Sequence, residues 1–172
     1  PTATGFITSG FYRGININGA GVSIGSDYWD GEADVGTFSV NGTEADNPYM
    51  TISPATSAER ETMLKSYRQH WAFNIALSSL ADTSYQVSLY FVQDWNYTGQ
   101  QPVTIRIEGT SVETFTPPKT AGAWVKKGAY TVHVADGTLN ITTDGDVANL
   151  AGIEISTVEA NASPTPSATV TR

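Results

Sequence analysis

The chain has 172 residues, 40% of them hydrophobic and only 15% charged, with a net charge of −8 and no cysteine. That length suits one domain with a core of its own. The acidic balance argues against nucleic acid and against an anionic membrane surface, both of which need basic patches, and the lack of Cys excludes disulfides and thiolate metal sites.

The opening "PTATG" reads as an N-terminal linker or first edge segment over residues 1–9. "RGINI" (13–17) alternates apolar and polar residues like a strand and runs into "NGAG", a turn. "GSDYWDGEADVGTFSVNG" (25–42) is long, rich in Gly and Asp and without clear period, so it reads as a loop, carrying the adjacent aromatics Tyr28 and Trp29. "SAERETMLKSY" (57–67) is the helical candidate, but its apolar stripe is thin and a single turn or polar strand fits as well. "HWAFNIAL" (70–77) alternates through Trp71, Phe73, Ile75 and Leu77, and "YQVSLYFV" (85–92) through Tyr85, Val87, Leu89 and Phe91. That run stops at Gln93 and Asp94, and Trp95 and Tyr97 follow in a polar, loop-like segment.

Strands follow at "PVTIRIEG" (102–109) and "SVETFT" (111–116). "AYTVHVADGTLNITT" (129–143) reads as two strands joined by a tight Asp136-Gly137 turn, and "LAGIEISTVE" (150–159) closes the pattern. The tail from 160 to 172, ending "SPTPSATVTR", has the Pro/Thr/Ser composition of an extended linker or frayed end. No apolar run approaches the roughly 18 residues of a membrane span. A period of two nearly everywhere predicts an all-β fold over residues 10–159, an antiparallel β-sandwich of jelly-roll type.

Catalytic and metal signals are weak. His70 and His133 both sit in strand patterns, without a spaced partner for zinc, and no Ser lies in a G-x-S-x-G elbow. Glycoside hydrolysis needs two carboxylates within about 5–10 Å; Asp27, Asp30, Glu32, Asp34, Asp94 and Asp146 are the candidates, and spacing along the chain does not pair them. The run Asp27, Asp30, Glu32, Asp34 is also a candidate structural Ca²⁺ site, though it lacks the order of an EF-hand loop. Asn-x-Ser/Thr triplets begin at Asn41, Asn96, Asn140 and Asn161.

The aromatics carry more. Tyr28, Trp29, Tyr67, Trp95 and Tyr97 fall in loops or at strand ends, whereas Trp71, Phe73, Tyr85 and Phe91 fall on strand faces and read as core. An aromatic ring stacks on the C–H face of a sugar through its negative π-surface, while carboxylates and amides take the hydroxyls. Exposed Trp and Tyr equally suit a protein partner, and any one of them can instead pack over its own sandwich end.

Taken in order, "RGININGAGVSIGSDYWDGEAD", "WAFNIALSSLADTSYQVSLYFVQDW" and "NLAGIEI" resemble the malectin and malectin-like carbohydrate-binding domains, over roughly residues 10–157. The resemblance implies a β-sandwich lectin fold related to galactose-binding-like domains. It also implies glycan binding by loop aromatics and a late acid, which fall on Asp27 and Tyr28, near Tyr67, on Trp95 with Asn96 or Tyr97, and on Asp146. Two departures stand out: Trp95-Asn96-Tyr97 replaces adjacent aromatics, and Gln93 replaces a common Glu. The reading is a non-catalytic carbohydrate-binding module, secreted or at a cell surface, with an oligo- or polysaccharide as ligand and catalytic or adhesive domains as linked partners. Tyr28, Trp29, Tyr67, Trp95 and Tyr97 supply rings, Asp94 and Asp146 accept from hydroxyls, and Arg68 and Asn149 support them. The alternative is a structural or adhesive extracellular module.

Overall fold

Strands whose apolar residues recur at every second position bury one face each, and two such sheets closing on each other make the core. The computed structural model describes residues 7–160. Asn161 and the rest of the tail, like residues 1–6, lie outside the described residues.

The first sheet runs in the order β11 (Trp124–Val134), β8 (Thr83–Val92), β13 (Ala148–Ala160), β1 (Ile7–Asn16), β3 (Asp27–Gly31) and β2 (Val22–Ile24). A side branch of β6 (Ser66–His70) and β5 (Thr43–Asp46) joins it at the start of β13. The second sheet runs β10 (Thr110–Phe115), β9 (Val103–Ile107), β12 (Thr138–Gly145), β7 (Asn74–Ser78) and β4 (Phe38–Val40). Pairing is antiparallel apart from β1 with β3. This is the β-sandwich that the alternation predicts.

Val87, Leu89 and Phe91 of β8, Ile153 and Ile155 of β13 and Ile15 of β1 meet Ile75, Leu77, Ile105, Ile107 and Ile141 of the second sheet, all essentially sealed from solvent. Each such side chain is worth about 1.5–3 kcal/mol of burial. A second, smaller core covers the outer face of the first sheet: Trp29, Met63, Leu64, Tyr67, Tyr90, Val92 and Ala151. It explains why β8 turns continuously apolar at its end, since Leu89 to Val92 are buried on alternating faces of a strand covered on both sides.

One open reading of the sequence is decided here and two change. The segment 57–67 is a helix, α1 (Ala58–Leu64), followed directly by β6. Ser57 caps it by accepting from the Arg60 N–H at 3.3 Å. The segment 25–42 is ordered: it holds β3, a 3₁₀ turn over Glu32–Asp34 and β4. The run 70–77 is two strands, because β6 ends in the first sheet at His70 and β7 begins in the second at Asn74. Trp71 sits on the corner between them and is 64% exposed, so it is not core, while Phe73, Tyr85 and Phe91 are.

Candidate functional site

At one end of the sandwich, β8 runs out into residues 93–100, beside the start of β13 and the end of β6. The outgoing loop is held by backbone: Gln93 N–H donates to Ala123 O at 2.8 Å, Gly122 N–H to Gln93 O at 2.7 Å, and Tyr97 N–H to Lys119 O at 2.9 Å. Asn96 Oδ1 accepts from Ala121 N–H at 3.0 Å. Trp95 and Tyr97, on either side of this tie, project outward and stack on one another, ring centroids 5.8 Å apart and planes 23° off parallel. They are 59% and 42% exposed.

These rings line an open pocket of about 270 Å³, together with Gln69, Gln93, Gln100, Asp146, Val147 and Asn149. Asp146 is held by two backbone donors, Gln101 N–H to Oδ2 at 2.7 Å and Val147 N–H to Oδ1 at 2.8 Å. Each carboxylate oxygen keeps a further lone pair. Gln100 Nε2 donates to Gln93 Oε1 at 3.1 Å, both side chains being buried, and Gln93 Nε2 and Gln100 Oε1 have no hydrogen-bond partner among the described residues. Buried amide atoms without partners are uncommon, at about 1–3 kcal/mol each.

Behind the pocket lies a supporting layer. Asp94 accepts from the Tyr67 hydroxyl at 2.8 Å and from Asn149 Nδ2 at 2.9 Å, and Asn149 Oδ1 accepts from Gln69 Nε2 at 3.2 Å. Burial, and then the hydrogen bond to Asp94, hold the Tyr67 phenol well above the ordinary tyrosine range, so it donates at any ordinary pH.

The nine residues singled out from sequence therefore divide. Trp95, Tyr97, Asp146 and Asn149 come together at the pocket. Asp94 stands one layer back, its carboxylate occupied by Tyr67 and Asn149. Tyr67 is buried with no ring face to offer, because β6 turns it into the smaller core. Trp29 is likewise buried, edge-on to Tyr90 at 5.5 Å between centroids. Arg68 is spent on carboxylates, its Nε and Nη2 on Glu32 and its Nη2 also on Glu44 at 2.7 Å. Tyr28 is exposed, but on β3 with its hydroxyl toward Gly21, and it does not line the pocket.

The acidic run is not gathered either. Glu32 is held by Arg68 and the Asn18 N–H, and Asp30 faces Arg13 at 3.5 Å. Among the described residues no three of His, Cys, Asp and Glu come together to hold a metal ion. Gln69, Gln100 and Val147 escaped the sequence reading. Gln93 carried a signal: it continues the buried phase of Val87, Leu89 and Phe91 with an amide.

The fold and the pocket define an all-β sandwich domain with an aromatic-rimmed, amide-floored pocket at one end. No family model matches the chain, and no curated protein matches it. Among solved structures it is similar to the extracellular domains of ANXUR1 and ANXUR2 from Arabidopsis thaliana. ANXUR1 aligns with a TM-score of 0.67 at 15% identity over 90% of this chain, and ANXUR2 with 0.69 at 14% over 94%. The chain spans about half of each, 49% and 53%. It is also similar to a calcium-binding mutant of Bacteroides uniformis β-glucuronidase 2, with a TM-score of 0.66 at 15% identity, over 91% of this chain and 18% of the enzyme. The ANXUR ectodomains are malectin-like, so the resemblance read from the sequence holds for the fold.

Proposed function

We propose that the domain is a non-catalytic carbohydrate-binding module for a neutral glycan, secreted or at a cell surface. The observation that carries this reading is the exposed Trp95–Tyr97 stack on a pocket that Gln93, Gln100, Asn149 and Asp146 also line. The rings suit the C–H face of a sugar, and the amides and carboxylate suit its hydroxyls. Among the described residues no Lys or Arg lines the pocket, which disfavours acidic sugars. Asp146 is the one carboxylate lining it among the described residues, whereas paired-carboxylate hydrolysis needs two. A shallow, open site predicts modest affinity, and the biological gain comes from raising the effective concentration of whatever is joined to the module.

A glycan array followed by affinity electrophoresis tests this. Retention by at least one neutral polysaccharide is expected, lost in Trp95→Ala with an unchanged melting temperature. Retention that survives Trp95→Ala, or self-association with no glycan bound, contradicts it and favours the structural or adhesive reading.

A further inference from the structure

The corner between β6 and β7 presents Trp71 to solvent on a fixed support. Asn41 clamps the corner from the neighbouring segment, Nδ2 donating to Ala72 O at 3.0 Å and Oδ1 accepting from Asn74 N–H at 2.7 Å. The backbone of Phe73 is tied to Thr143 in both directions, each bond 3.0 Å. Ala72 N–H donates to His70 Nδ1 at 3.0 Å, and the His70 and Trp71 rings lie 5.8 Å apart. A rigid corner that exposes most of an indole costs little further ordering when a ligand stacks on it.

Trp71 also borders a hollow. It is about 330 Å³, lined by Thr43, Gln69, His70, Trp71 and Val147. Gln69 and Val147 line the Trp95 pocket as well, so the two hollows adjoin across these residues. Among the described residues no Lys or Arg lines either hollow, and the second, unlike the first with its Asp146, has no Asp or Glu in its lining.

Resting on the proposed glycan-binding reading, we infer that the two hollows are one extended groove and that Trp71 is a second sugar platform. The ligand is a chain of neutral sugars, with one ring on Trp95 and Tyr97 and a neighbouring ring carried over Val147 onto Trp71. The groove therefore reads chain length, where the Trp95 pocket alone reads a single ring.

The test is calorimetric titration with size-graded gluco-, galacto-, manno- and xylo-oligosaccharides, each from monosaccharide to hexasaccharide. For the series that binds, affinity rises about three- to tenfold once the chain is long enough to reach Trp71, the range one aromatic stacking contact supplies. Trp71→Ala removes that rise and leaves the shorter members unchanged, Trp71→Phe restores part of it, and Trp95→Ala abolishes binding at every length. Thermal melts of the Trp71 variants accompany the titrations, and Trp71→Phe carries the test if Trp71→Ala unfolds. If Trp71→Ala and Trp71→Phe bind every length as the parent does while Trp95→Ala binds none, the second platform is refuted and the lectin reading stands. If the parent binds no member of any series, both fall.

Discussion

Two tryptophans in polar surroundings, Trp29 and Trp95, look alike in sequence and do opposite things. Trp29 lies flat across the first sheet because glycines make room: a Cβ on Gly14 would come within 2.1 Å of its ring, and one on Gly152 within 3.0 Å. Neither glycine is near it in the chain, so nothing local marks Trp29 as core. Trp95 has no such bed and stays 59% exposed. Trp29→Ala is therefore expected to lower unfolding free energy by about 3–5 kcal/mol, and Trp95→Ala by less than about 0.5 kcal/mol, in denaturant melts of the two variants. Tyr67→Phe removes the donor to Asp94 and loosens Asn149; we expect about 1 kcal/mol of lost stability and several-fold weaker glycan binding with the pocket rings intact. Asp146 was legible through the family resemblance, whereas Gln69 and Gln100 offered no pattern at all, their role arising only where β6 and the loop after β8 meet.

Among the elements, strands were easier to read than the places where they change sheet. Alternation located β8, β9 and β12 because one face of each meets the other sheet. It failed at 70–77, where the same alternation spans a corner: Trp71 is in phase with Phe73, Ile75 and Leu77 along the chain but leaves the strand geometry that would bury it. It failed again at 25–42, whose strands are short: β3 pairs with its neighbour β2 and with β1, and β4 with β7, far away in sequence. Helix α1 was ambiguous since only Met63 and Leu64 are buried, and its stability comes from packing on the outer core and from the Ser57 cap. Ser57→Ala is expected to cost about 1 kcal/mol, and Gly152→Ala more, since the new methyl meets Met63 Sδ at 2.8 Å; chemical denaturation of both variants checks the order.

Over the whole molecule, three buried or half-buried tyrosines each donate to a carboxylate: Tyr67 to Asp94, Tyr90 to Glu154 and Tyr130 to Glu113. Burial, then these hydrogen bonds and charges, raise all three phenols well above the ordinary tyrosine range. An unfolded chain ionises its tyrosines near about pH 10, so their contribution to stability is complete below that and is lost as pH rises toward the folded values. The melting temperature should hold to about pH 9 and fall steeply beyond about pH 10, less steeply when the three are changed to Phe; a fall shared equally by both proteins contradicts this. The central claim, that glycan binds at the Trp95 pocket, has its own reporters in the four tryptophans: Trp29 is buried, Trp124 donates its indole N–H to Pro54 O at 2.8 Å, and Trp71 and Trp95 are exposed. The most direct measurement is a nuclear magnetic resonance titration of the four indole N–H signals with the neutral oligosaccharide that scores highest on the array. The Trp95 signal should move first and furthest while those of Trp29 and Trp124 stay in place; an unmoved Trp95 in the presence of a bound glycan would contradict the account.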